Sequence, residues 1–114
     1  MFNAVRVSYE NLRSIAFGSL STNYTIVGTA FAHPVRLLKV TNTTDADVLI
    51  SFDGISDKDI LPGTSAYVYD YESNKTSLGG AFEQPTGQAV YAKYTGSAPS
   101  KGSVYVTVIY GSIA

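Results

Sequence analysis

The chain has 114 residues, a formal net charge of −1 from eight basic and nine acidic residues, and no cysteine. That length suits one domain, residues 1–114, which buries roughly two-thirds of its unfolded surface; without cysteine, disulfide staples, thiol chemistry and Cys-based zinc sites are excluded. No basic stripe announces a nucleic-acid partner and no stretch approaches the ~20 apolar residues of a membrane-spanning helix, so neither partner is expected.

Charged residues make up 15% of the chain, while nine tyrosines and five phenylalanines stand among many Ser, Thr, Gly and Asn. Tyrosine supplies contact area at low entropic cost and is enriched at interfaces, so this composition suits contacts with other polar surfaces. Met1–Arg6 lacks the apolar core of a signal peptide, and synthesis in the cytosol is expected.

In chain order, Phe2 to Tyr9 alternates Ala4 and Arg6 against Val5 and Val7, and residues 1–11 read as an N-terminal arm. The arm can pack on its own sheet or reach a neighbour, and it leads into a strand at Leu12–Phe17. After a loop over Gly18–Asn23, Tyr24–Phe31 is strand-like, with Gly28 marking a bulge or a close backbone approach. His33-Pro34 then breaks the ladder.

Residues 35–71 organise the rest, as three strands joined by two polar turns. Val35–Thr41 is rich in β-branched and aliphatic residues and stops at the turn formers Asn42-Thr43-Thr44-Asp45-Ala46-Asp47. In Val48–Phe52, the residues Val48, Ile50 and Phe52 share a core face. A second polar stretch runs from Asp53-Gly54 to Pro62-Gly63, after which Ala66–Tyr69 alternates again. Glu72–Gly80 is a long polar loop with Phe82 as the only large anchor beyond it, and such loops are functional or mobile. The last third reads as a hairpin, Gln88–Tyr94 and Ser103–Tyr110 around a turn-rich loop. Val104, Val106 and Val108 form one face of its second strand, and the partly apolar opposite face implies a central strand or one covered by a partner. Seven to eight short strands without an amphipathic helix indicate an all-β, antiparallel β-sandwich, either a jelly-roll or an immunoglobulin-like arrangement.

Among candidate sites, Asp53, Asp57 and Asp59 with Gly54 are weak metal candidates beside Asp45 and Asp47. The EF-hand spacing is not matched, and carboxylates that cap turns explain the cluster better, so neither a metal nor a cofactor is expected. His33 is the sole histidine, and no pattern supplies the serine and carboxylate of a triad. Asp70 and Glu72 flank Tyr71 but do not by themselves make a glycosidase pair, and no phosphate loop surrounds Gly79-Gly80; no enzymatic activity is expected. The tyrosines are more informative. Tyr67, Tyr69 and Tyr71 share one face of their strand, with Ala66 and Val68 toward the expected core. With Tyr91 and Tyr105 they are candidates for an outward tyrosine-lined face, a subunit interface or a sugar-stacking platform. The competing reading is that some of these rings are core, with the inner face assigned the wrong way round.

The central VRLLKVTNTTDADVLISFDGISDKDILPGTSAYVYDY and the closing QAVYAKYTGSAPSKGSVYVTVIYG resemble small virion structural proteins of tailed bacteriophages, over about Ser14 to Gly111. The resemblance implies a β-sandwich incorporated in many copies as a capsid decoration (cement) protein, a head-fibre base or a head–tail or tail component. It carries no catalytic or cofactor residues. The resulting expectation is a non-enzymatic virion protein made in the host cytoplasm. Its expected partners are a major capsid protein or head–tail or tail subunits, and it is expected to form a homo-oligomer. A head–tail connector or tail component, and a carbohydrate-binding module for host-surface glycans, are the alternatives.

Overall fold

The computed structural model describes residues 5–71 and 84–113. The expectations placed on residues 1–4, on the Glu72–Gly80 loop and on Phe82 lie outside the described residues.

Nine strands are formed among them: β1 (Val5–Tyr9), β2 (Arg13–Ala16), β3 (Thr25–Ile26), β4 (Leu37–Asn42), β5 (Asp47–Ser51), β6 (Asp59–Leu61), β7 (Ser65–Asp70), β8 (Tyr91–Thr95) and β9 (Ser103–Ile113). A single 3₁₀ turn at Phe17–Ser19 follows β2. One sheet runs β1-β9-β4-β7, with β2 also paired to β9, and the other runs β3-β8-β5-β6. All pairings between these strands are antiparallel. The chain is an all-β sandwich, as its periodicity indicates, with nine strands among the described residues in place of the expected seven to eight, since the polar stretch after Phe52 also forms one.

The pairing decides between the two sandwich types. β2 pairs β9, β3 pairs β8, β4 pairs β7 and β5 pairs β6, so the strands after β1 form four nested pairs alternating between the sheets. That nesting is the jelly roll. An immunoglobulin sandwich would pair its first two strands in one sheet, whereas β2 and β3 here lie in opposite sheets. β1 is an additional strand on the edge of β9.

The core follows from strand alternation. Leu38 and Val40 of β4, Val48 and Ile50 of β5, Ala92 of β8, and Val104, Val106 and Val108 of β9 are completely buried between the sheets. Burying each larger aliphatic side chain contributes about 1.5–3 kcal/mol before entropy is counted. Phe52 packs against this cluster, so the expected core face of Val48, Ile50 and Phe52 is the observed one. β9 is central, with β4 on one side and β1 and β2 on the other.

Three expectations need correction. The last third is not a hairpin, because β8 and β9 lie in different sheets. Their linker crosses the end of the sandwich beside the β4–β5 corner, where Ser100 N–H donates to Asp45 Oδ1 at 2.8 Å and Ser103 N–H to Thr43 Oγ1 at 2.9 Å. The polar stretch after Phe52 contains β6, paired with β5. The strand expected over Tyr24–Phe31 shrinks to Thr25–Ile26, because Gly28 turns the chain at φ +73° and presses against the stem of Arg13.

The crossing from β4 to β5 needs a polar hub, since backbone that leaves one sheet for the other loses its ladder partners. Asn42, 1% exposed, is that hub. Its Nδ2 donates to the carbonyls of Ala46, Leu61 and Pro62 at 2.9–3.2 Å, and its Oδ1 accepts from Thr44 N–H and Oγ1.

Candidate functional site

The structure divides the tyrosines between surfaces. Tyr69 lies opposite Leu38 and Tyr67 opposite Val40, both fully buried on the inner face of β4. The face assignment of β7 is therefore reversed: Tyr67, Tyr69 and Tyr71 point to the core side, and Ala66 and Val68 point outward. The alternation was correct, but both faces of SAYVYD are apolar enough that pattern alone does not fix which is inner. Tyr69 and Tyr71 pack on the core cluster, and Tyr69 meets Phe52 edge-on with ring centroids 6.1 Å apart and donates its hydroxyl to Asp59. Tyr91 stays on the outer side, on the four-stranded sheet, while Tyr105 stands on the outer face of the five-stranded sheet. These five rings form no common face.

The outer face of the five-stranded sheet nevertheless carries exposed apolar side chains among polar ones. Cross-strand register places Asp70, Leu37, Ile109 and Tyr9 in one row, Val68, Lys39 and Thr107 in the next, and Ala66, Thr41 and Tyr105 in a third. Val7, Tyr9 and Val68 are 66%, 65% and 57% exposed. An antiparallel sheet with one solvated face ordinarily presents polar side chains there.

The acidic candidates are engaged separately. Asp53 Oδ1 accepts from Ile55 N–H, Ser56 N–H and Ser51 Oγ at 2.7–2.8 Å, and the two backbone donors hold its carboxyl well below the usual range. Asp57 accepts from Tyr24 Oη at 2.5 Å and lies 3.5 Å from Lys93 Nζ, which also sits 4.5 Å over the Tyr24 ring. Asp59 accepts from Tyr69. Among the described residues no group of three potential metal ligands comes together. These carboxylates order the loop after β5 and tie it to neighbouring elements, as turn-capping residues do.

Sequence reasoning missed a polar clasp. Glu10, whose side chain is 5% exposed, accepts from Arg13 Nη2 at 2.6 Å, from Ala32 N–H at 3.1 Å and meets His33 Nδ1 at 2.7 Å. Arg13 also donates to the carbonyls of Thr29 and Ala30 at 2.7 and 2.9 Å, and its guanidinium lies 5.6 Å from the Phe31 ring centroid. The His33 ring stacks flat on Tyr110 of β9 at 3.7 Å. These groups line an open cleft of about 620 Å³ with Tyr9, Leu12 and Gly28. Burial pushes the Glu10 carboxyl up, but hydrogen bonds from His33, Arg13 and Ala32, with the Arg13 charge, outweigh it and hold it below its ordinary value. Both carboxylate oxygens are occupied, so the arrangement locks the β1–β2 corner to the 28–33 loop. A lone Glu, Arg and His scattered over 24 residues carry no motif that would have revealed it.

Compared with known proteins, the chain matches no family model and no curated protein.

Proposed function

We propose that the chain is a non-enzymatic structural protein of a tailed-bacteriophage particle, a capsid decoration or accessory subunit. It docks on other virion proteins through the outer face of its five-stranded sheet. The observation that carries this reading is the exposure of Val7, Tyr9 and Val68 on one face with Leu37, Tyr105 and Ile109. Exposed apolar side chains on one face, interspersed with polar groups such as Lys39 and Thr107, suit an interface in which apolar and polar contacts alternate. Two further points support the reading. The jelly roll is an architecture used by viral capsid and lectin domains, an analogy at the level of fold, and the stretches 35–71 and 88–111 resemble small virion proteins in pattern. A connector or tail position belongs to the same reading.

Tyr69, one ring of the glycan-binding alternative, is packed against the core and hydrogen-bonded to Asp59, which supports docking over sugar stacking at that ring. Quantitative mass spectrometry of purified particles from the source of the chain tests the proposal. The expected result is many copies per particle at a fixed ratio to the capsid protein, and its absence from intact particles would end the reading.

A further inference from the structure

We propose that β1 is a docking edge for a second copy of this chain. Two β1 strands pair antiparallel about a twofold axis at Val7 and join two five-stranded sheets into one. The inference concerns the strand itself and stands apart from the virion reading.

The backbone supplies the first argument. Among the described residues β1 pairs with β9 alone, in an unbroken register from Val5↔Ile113 to Tyr9↔Ile109. Glu10 N–H donates to the Val108 carbonyl at 3.1 Å, which continues that register and makes Glu10 and Val108 a hydrogen-bonded pair. Such pairs alternate along an antiparallel ladder. Ser8 and Arg6 therefore bond toward Tyr110 and Ser112, while the N–H and C=O of Val7 and Tyr9 turn away from β9. Natural edges are blunted by proline, bulges, charges or covering elements; VRVSY has no proline, its one charge is Arg6, and the extra residue that interrupts the register falls after Glu10, before Arg13↔Val106.

The side chains supply the second. Val7 and Tyr9, the most exposed large apolar residues on this sheet, are the ones whose backbone groups face outward. A strand added here continues the apolar outer face across the junction.

Self-complementarity identifies the partner. With the axis at Val7, Val7 faces its own copy, Val5 faces Tyr9, and Arg6 faces Ser8, so all five residues pair without opposed like charges. Moving the axis to Arg6 sets two arginines directly opposite, which is destabilising. Moving it to Ser8 sets Arg6 against Glu10, whose carboxylate is already committed to Arg13, Ala32 and His33. The clasp at Glu10 fixes the strand's end and reduces the ordering cost of pairing.

The native sequence has no cysteine, so Val7→Cys introduces a single thiol. Residues facing each other in a hydrogen-bonded antiparallel pair have Cβ atoms about 5.5 Å apart, wider than the ~4 Å a disulfide spans but within reach of a short bis-maleimide that joins two thiols. Treating the full chain with that bis-maleimide is expected to give a covalent dimer with Val7→Cys and none with Val68→Cys, on the opposite edge strand. Light scattering of the native chain should give twice 12.2 kDa. Val7→Pro removes one outward N–H per copy and leaves the β1–β9 bonds intact. It is expected to weaken the dimer about tenfold to a hundredfold, with an unchanged circular dichroism spectrum. A chain that stays monomeric, a larger ring, an association unmoved by Val7→Pro in folded protein, or failure of Val7→Cys to cross-link would each overturn the proposal.

Discussion

Glu10 and His33 stand 23 positions apart in the chain, and the fold brings Oε2 of one within 2.7 Å of Nδ1 of the other. His33 is in turn stacked on Tyr110, beside Ser8 of β1. A carboxylate, an imidazole and a phenol ring thus connect the β1–β2 corner, the 28–33 loop and the end of β9. This contact explains why an edge strand of five residues is held in place.

Glu10→Ala should be among the most destabilising single substitutions outside the apolar core. It leaves the Arg13 guanidinium, 8% exposed, without its counter-ion and removes the acceptor of Ala32 N–H. Breaking a buried pair from one side costs about 3–5 kcal/mol. Urea unfolding should show this loss, whereas a change below about 1 kcal/mol would mean that the clasp is dispensable.

Acid should loosen the same contact. Because the folded state holds Glu10 below its ordinary value of 4.5, the unfolded chain binds a proton more readily in the acid range. The stabilisation is fully present above that value and is lost as pH falls through it toward the folded pKa. Asp45, Asp53 and Asp57 are shifted in the same direction and add to the slope. Urea midpoints measured downward from about pH 6 should decline most steeply below about pH 4.5, and Glu10→Gln should decline less steeply than the native chain.

At Gly102 the backbone has φ +86°, and an added Cβ would lie 2.3 Å from the Thr43 carbonyl oxygen. That oxygen belongs to backbone at the β4–β5 corner and cannot rotate away. Gly102→Ala should therefore cost more than the roughly 1–2 kcal/mol of the left-handed conformation alone. Thermal unfolding of this variant beside Gly87→Ala, where φ is +92° with open space, separates the clash from the conformational cost.

Strand existence and facing were legible wherever one face was plainly apolar, as at Val48–Phe52 and Val104–Val108. SAYVYD misled because tyrosine and valine alternate, and amphipathic rings serve equally at a core rim or on a surface. The nesting of strands was invisible because a corner such as Asn42–Ala46 has the composition of a hairpin turn. Only the depth of Asn42 and its bonds to Leu61 and Pro62 reveal a crossover. The clasp escaped because its members are joined by tertiary contacts alone.

Tyr69→Phe should cost about 1 kcal/mol, since it removes a hydroxyl donated to Asp59 and keeps the ring on Phe52. Burial and the Asp59 carboxylate hold the Tyr69 phenol far above its ordinary value of 10. Its neutral form is thus favoured in the folded state, and the stability it adds is present below pH 10 and lost as pH rises through the folded pKa. Native protein should lose stability on alkaline titration more steeply than Tyr69→Phe.

The central claim is that the outer face of the five-stranded sheet docks on the particle. Val68 lies on that face, 57% exposed, away from β1 and directly opposite Lys39, so Val68→Glu, which sets opposite charges across the pair, should leave folding and self-pairing intact. Copy number per purified particle, measured for native chain and for Val68→Glu produced at equal levels, tests the claim most directly. The expected result is full occupancy for the native chain and at least a severalfold loss for the variant, as about 1 kcal/mol or more of lost contact implies. Equal occupancy of both would contradict the account.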